Sequence, residues 1–263
     1  MMADPRALAI DVAREAGALL LEHLHGPLEI REKSQRADIV TLADAASERL
    51  VVERLQAAYP SATILTEETG LHAGTSQERW IVDPLDGTTN FAHGYPLWNV
   101  SIAYERGGEL VAGVVYAPAM HELFVAERGA GAELNGSPIR VSAVGRLGDA
   151  LTCTGFYPAA FERNGAQFAA VSHRAQAVRR DGSAALDLAY VACGRFDGFW
   201  EFDLHAWDVA AGTLLVTEAG GTVTRIDGGT PALDAGSILS TNGRIHAELR
   251  DVLLGVEGGA ASL

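Results

Sequence analysis

The chain has 263 residues, 48% of them hydrophobic and 21% charged, the balance of a globular protein whose core needs no disulfide or metal staple. Its formal charge is −14, and no basic cluster stands out beyond Arg179-Arg180. That field argues against nucleic acid as a partner, and it demands a cation wherever a phosphate is to be bound. No apolar run approaches the roughly 18 residues of a membrane span, so no membrane partner is expected. The charge-interrupted opening "MMADPRALAIDVAREAGALLLEH" does not read as a signal peptide. Cys153 and Cys193 lack CxxC or ligand-type spacing, so a reducing, cytoplasmic setting is the expectation.

Apolar residues at Leu8, Val12, Ala16, Leu19 and Leu20 keep the helical period and predict a helix from residue 4 to about 25. "GPLEIREKSQRADIV" follows as a charged, Gly/Pro-punctuated connection, expected to be exposed and mobile. A second helix is predicted from Asp44 to Ala58, with Ala46, Leu50, Val51, Leu55 and Ala58 on its buried face. "ATILTEE" reads as a short strand ending in Glu67 and Glu68, "TGLHAGTSQER" as a polar loop, and "WIVDPLDGTTNF" as a buried strand that stops at Pro84. The runs "WNVSIAYE", "LVAGVVYA" and "ELFVAE" alternate, predicting an antiparallel meander, with Gly-rich "RGAGAELNG" after it. Beyond it come a strand near 150–155, helices near 165–177 and 184–193, a strand at 198–202, a helix at 209–219, strands at 222–226 and 237–241, and a helix from about 244. A composition shift near Gly145–Gly148 divides the chain into halves, 1–146 and 147–263, of one compact α/β or α+β layered unit.

Acidic side chains recur at strand ends: Glu67-Glu68, Asp83, Asp86 and, far away in sequence, Asp208 in "HAWDVAAG"; Asp44 opens the second helix. Carboxylates and carbonyls suit a hard cation, so Mg²⁺ or Mn²⁺ is favoured over zinc. Pro84 lets Asp83 and Asp86 point into one pocket with the carbonyl of Leu85 between them. Gly87 then permits a tight turn whose N–H groups, with those of Thr88 and Thr89, form an anion cradle. Together these suit phosphoryl chemistry on a metal. Singly, each has a plainer reading. Asp86-Gly87 is a turn, Asp83-Pro84 a strand stop, Asp44 and Asp208 helix caps, Glu67-Glu68 a solvated loop edge, and Arg179-Arg180 surface. Those readings do not explain why the acids gather around one Gly-Thr turn.

At these residues the chain resembles the inositol monophosphatase family of magnesium-dependent, lithium-sensitive phosphatases. "WIVDPLDGTTNF" is similar to its first signature and "WDVAAGTLLVTEAGG" to its second, while "TEE" has Thr66 where the family carries glycine. "RRDGSAALDLAYVACGRFDGFWE" looks like the bacterial branch, and the likeness runs from about Ala7 to Asn242. The resemblance implies an αβαβα five-layer sandwich of the inositol monophosphatase and fructose-1,6-bisphosphatase type, a homodimer, and two or three Mg²⁺ ions. Carried over by position, Glu67, Asp83 and the Leu85 carbonyl hold one metal, Asp83, Asp86 and Asp208 a second, and Glu67 a third. Glu67 and Thr88 orient the attacking water, and Asp44 fixes Thr88. Gly87 and Thr88 hold the phosphate. Lys33 matches a family position near the site. Gly182, Ser183, Ala184 and Glu201, with Leu85, Asp86 and Asp208, line the substrate, a polyol or sugar phosphate such as myo-inositol monophosphate. Relatives acting on fructose 1,6-bisphosphate or NADP define the alternative phosphatase reading, and a non-catalytic metal- or phosphate-binding partner protein the alternative of another class.

Overall fold

The computed structural model describes residues 3–24, 31–32, 39–156, 161–231, 233 and 236–259. In chain order the first elements are α1 (Pro5–Leu24), β1 (Arg31–Glu32), β2 (Ile39–Val40), α2 (Leu42–Ala58), β3 (Thr63–Thr66), β4 (Leu71–His72), β5 (Glu78–Asp86) and α3 (Thr88–Ala92). A meander follows: β6 (Asn99–Arg106), β7 (Glu109–Ala117), β8 (Glu122–Glu127), β9 (Gly131–Leu134) and β10 (Ser137–Pro138). The remainder is β11 (Leu151–Thr154), α4 (Phe161–Ser172), β12 (Ala177–Arg179), α5 (Ala184–Ala192), β13 (Gly198–Phe202), α6 (Ala206–Glu218), β14 (Thr222–Thr224), β15 (Ser237–Thr241) and α7 (His246–Gly259).

Strands buried on both faces force layers, because successive side chains point in opposite directions. In β5, Trp80 and Val82 join the core under α1 and α2, while Ile81 between them joins the core of α5 and α6. In β13, Phe199 faces that same α5–α6 layer and Trp200 faces α4 and α7. The result is the expected five-layer αβαβα sandwich. An eight-stranded sheet (β10-β9-β8-β7-β6-β5-β3-β4) and a five-stranded sheet (β12-β11-β13-β15-β14) enclose the α5–α6 pair. Trp80, fully buried, meets Tyr59 and Tyr104 with ring centroids 5.3 and 4.7 Å away, an aromatic cluster in the core under α1 and α2. Truncating it to alanine would cost about 3–5 kcal/mol.

Several expectations change. The strand carrying the two aspartates does not stop at Pro84: β5 runs to Asp86, with one extra residue accommodated opposite β6 between Asp83 and Asp86. A bulge is where a strand tolerates proline, because the missing N–H falls outside the ladder. The buried face of α2 is Ala43, Asp44, Ser47, Glu48, Val51 and Leu55, so Ala46, Leu50 and Ala58 lie beside it rather than on it. The reason is polar burial, which hydrophobic periodicity cannot register. The helix expected at 165–177 lies at Phe161–Ser172, and Ala177–Arg179 pair in parallel with β11 as an edge strand. Short strands also form in the segments read as loops, at Leu71–His72 and Gly131–Leu134. Of the connection expected to be mobile, residues 31–32 and 39–40 pair antiparallel, and the rest, Lys33 included, lies outside the described residues.

Candidate active site

The end of β5 places two aspartates 2% and 8% exposed, Asp83 and Asp86, at the junction of the layers. The Leu85 N–H donates to Asp83 Oδ1 at 3.0 Å, closing a tight local turn inside the bulge. Gly87 then takes φ of 86°, a left-handed conformation favouring glycine, and a Cβ there would stand 2.9 Å from the Leu97 carbonyl oxygen. It caps α3 without a side-chain bond, so the N–H groups of the first turn depend on partners outside the helix. With only five residues in α3, those N–H groups matter more than any helix dipole.

Helix α2 braces this turn with its buried polar face. Thr88 Oγ1 lies 3.0 Å from Asp44 Oδ1 and 3.1 Å from the Leu85 carbonyl, so its single hydroxyl proton is committed to one of these acceptors. Asp44 Oδ2 accepts from the Thr41 N–H at 2.8 Å and the Thr41 hydroxyl at 2.6 Å. Asp44 is thus the third-residue member of a capping box and the holder of Thr88 at once; the two readings of it coexist. Ser47 donates to the Pro84 carbonyl at 2.8 Å. Glu48 accepts from the Glu68 and Thr69 N–H groups, both at 2.9 Å, on the turn that carries Glu67. Thr66, in place of the family's glycine, is fully buried, and its hydroxyl lies 3.2 Å from that of Thr69 in the same turn.

Across the layer boundary, Asp86 Oδ2 accepts from Asn99 Nδ2 at 2.9 Å, the Ser183 hydroxyl at 2.6 Å and the Ala185 N–H at 3.0 Å. Ser183 begins α5 without capping it with its own side chain, so Asp86 supplies the anion at that helix start. Ser183 and Ala184, expected as substrate contacts, therefore reach the site through Asp86. Gly182 adopts φ of 82° beside Asn90, whose amide donates to the Asp181 carbonyl at 2.8 Å. Asp208 is the third residue of α6, which starts at Ala206 rather than at Val209. Its Oδ2 accepts from the His205 N–H at 2.6 Å in a capping box. Glu201, 7% exposed and next to last in β13, lies against Gly155, where a Cβ would come 2.1 Å from Glu201 Oε2; only glycine leaves room for this carboxylate.

Charge crowding dominates the electrostatics. Burial pushes Asp83 well above the usual carboxylate range, and Glu67, Asp86 and Asp208 push it further in that order. Asp86 is raised by burial, against its hydrogen bonds from Ser183 and Asn99. Glu201 is also raised, by burial first and then by Asp208 and Asp86, with Arg180 opposing. Such a set asks for a cation. Among the described residues no three acidic, histidine or cysteine side chains already stand as a closed metal cage. Glu67, Asp83, the Leu85 carbonyl, Asp86 and Asp208, which the family resemblance implies as donors, would present only oxygens, a set that suits a hard divalent cation.

Sequence reasoning missed Ser47, Glu48, Asn99 and Gly155. Glu48 had a legible signal, since it follows Asp44 by one helical turn. Asn99 had only its place as a polar residue opening an apolar strand, and nothing local marks Gly155.

Residues 2–254 match the model of the inositol monophosphatase family. An inositol-1-monophosphatase of Rhizobium meliloti is 50% identical over 221 residues, 82% of this chain and 83% of the relative. A protein of Escherichia coli named Nus factor SuhB is 43% identical over 256 residues, 94% of this chain and 96% of that protein. The crystal structure of the extragenic suppressor protein SuhB of Bartonella henselae superposes with a TM-score of 0.91 at 43% identity, covering 94% of this chain and 97% of the other.

Proposed function

The chain belongs to the inositol monophosphatase family and is a phosphomonoester hydrolase, and we propose that it releases phosphate from myo-inositol monophosphate or a closely similar polyol phosphate with Mg²⁺ bound. The carrying observation is the crowding of Glu67, Asp83, Asp86 and Asp208 beside a threonine hydroxyl whose proton is already committed. The family is metal-dependent. Glu67, Asp83, the Leu85 carbonyl, Asp86 and Asp208 would hold the ions. Bound there, Mg²⁺ supplies Lewis acidity, offsetting phosphate charge and acidifying water.

The chain's own groups do the rest. Because Asp44 and the Leu85 carbonyl compete for the Thr88 proton, Thr88 Oγ1 faces the reaction as an acceptor. It therefore orients a water by taking a hydrogen bond from it, with Glu67 as the second acceptor. The N–H groups of Gly87 and Thr88 receive the phosphoryl oxygens at the uncapped start of α3. Water attacks phosphorus in line and gives up one proton to solvent, the bond to the polyol oxygen breaks, and solvent returns a proton to the departing alkoxide, leaving phosphate and the free polyol.

Glu201 favours a polyol over a second phosphate. Buried near Asp86 and Asp208, its carboxyl group offers hydrogen bonds to the hydroxyl groups of a polyol, and the acidic surroundings disfavour a second phosphate. This supports inositol phosphates over fructose 1,6-bisphosphate and NADP as the substrate. The E. coli relative's name describes a factor rather than an enzyme, yet Glu67, Asp83, Asp86, Thr88 and Asp208 are all present here, which favours catalysis. A homodimer and a cytoplasmic setting complete the proposal; light scattering on the purified chain tests the first. Phosphate release from inositol 1-phosphate, fructose 1,6-bisphosphate, NADP, histidinol phosphate and 3′-phosphoadenosine 5′-phosphate with Mg²⁺ tests the substrate. Release from none of them sinks the proposal.

A further inference from the structure

Three side chains on one face of α2 reach two separate segments of the site, the β5–α3 turn and the turn after β3. Asp44 holds Thr88, Ser47 holds the Pro84 carbonyl, and Glu48, one turn beyond Asp44, holds the turn that follows β3. Glu48 is 3% exposed, and both of its oxygens are in use, Oε2 on the Glu68 N–H and Oε1 on the Thr69 N–H, each at 2.9 Å. The turn is closed at its far side by the Thr66 N–H donating to the Gly70 carbonyl at 2.9 Å. Glu67 sits inside that closed turn, next to the first of the two clamped amides. Its position relative to Asp83 and Thr88 is consequently set by a single rigid helix rather than by the loop itself.

We propose that Glu48 is a positioning residue: by pinning the amides of Glu68 and Thr69 it places Glu67 toward Asp83 and so sets the affinity of the site for a divalent cation. The proposal rests on the reading of Glu67 as a metal ligand. A carboxylate is needed because it can accept from both amides at once. A glutamine of the same shape offers one oxygen and turns an NH₂ against the other N–H. Hydrogen bonds to charged groups are strong enough, and outer partners of metal ligands matter enough, for the loss to be measured.

The test compares the wild-type chain with Glu48→Gln, Glu48→Asp and, as a control, the exposed Glu53→Gln on the same helix. Amide exchange of the metal-free proteins is followed at Glu68 and Thr69, Mg²⁺ binding by titration calorimetry, and folding by the thermal midpoint. In Glu48→Gln, exchange at those two amides should rise about tenfold or more. Mg²⁺ affinity should fall about 10–100-fold, and kcat should recover most of its value once Mg²⁺ saturates. Glu48→Asp should restore part of the affinity, and Glu53→Gln should leave all three readouts at wild type. A folded Glu48→Gln chain with unchanged amide exchange and unchanged Mg²⁺ affinity overturns the proposal. If the wild type itself takes up no Mg²⁺, the metal reading fails, and the exchange rates alone decide whether Glu48 holds the turn. Should Glu48→Gln not fold, the Glu48→Asp chain carries the same comparison.

Discussion

Replacing Thr88 by valine keeps the shape of the side chain and removes only the oxygen that orients the attacking water. In the folded chain, Asp44 loses one hydrogen bond but keeps those from the Thr41 N–H and hydroxyl at 2.8 and 2.6 Å, so the capping box of α2 survives. The lost bond is charge-assisted and partly buried, which sets the stability cost at about 1–2 kcal/mol, a fall of a few degrees in the thermal midpoint. The effect on rate should be larger. Loss of one pre-set polar group aimed at the reacting atoms typically costs about 2.7–4 kcal/mol, which is about 10²–10³ in kcat. Thr88 is not a proposed metal ligand, so Mg²⁺ affinity should hardly move. Steady-state phosphate release from inositol 1-phosphate at saturating Mg²⁺, with calorimetry on the same samples, separates the two quantities. Thr88→Ser keeps the hydroxyl and should restore most of the rate. A valine variant with near wild-type kcat, or a serine variant as impaired as valine, refutes the role assigned to this oxygen.

Gly155→Ala would drive a methyl group into the Glu201 carboxylate, which stands 2.1 Å from the position of the new Cβ. KM for inositol 1-phosphate should rise while hydrolysis of a simple aryl phosphate is spared, and equal losses on both would contradict Glu201 as the group that reads the polyol. His246 lies between the hydroxyls of Thr241 and Thr224, 2.9 and 3.0 Å from its two ring nitrogens, and burial followed by Arg250 lowers its pKa. A lowered folded-state pKa gives stability that is present above the unfolded value of 6.5 and lost as pH falls through the folded one. The thermal midpoint should therefore drop between about pH 7 and 5 more steeply in the wild type than in His246→Gln; parallel curves would remove His246 as the cause.

That the chain is layered was readable because layering rests on apolar periodicity; the five-layer order came only from the family resemblance. The alternation of Trp80, Ile81 and Val82 and the helical spacing of Leu8, Val12, Ala16 and Leu20 both survive into the cores. What escaped was short or polar. The strand Ala177–Arg179 is three residues long, too few to show a period. The buried face of α2 carries Asp44, Ser47 and Glu48, which any hydrophobic pattern assigns to solvent. Those residues are inside because each satisfies a specific backbone or side-chain partner in a distant segment, and a single sequence does not reveal such partners. Asp83 and Asp86 were legible for the opposite reason. Two carboxylates at the end of an apolar strand conflict with their surroundings, and a conflict of that kind marks a site. Their separation by a bulge that carries Pro84, rather than by the end of the strand, needed the pairing with β6 to be seen.

Magnesium-dependent phosphate release by the wild type and by Asp83→Asn is the most direct measurement of how this site works. Asp83 is pushed up by burial and then by Glu67, Asp86 and Asp208, so neutralising it should relieve that repulsion and leave the fold intact. The wild type should hydrolyse inositol 1-phosphate only when Mg²⁺ is supplied, and Asp83→Asn should lose both turnover and Mg²⁺ binding at an unchanged or higher thermal midpoint. Activity that persists after removal of divalent metal, or an Asp83→Asn chain that still binds Mg²⁺ and turns over, would contradict a carboxylate-held metal as the centre of this site.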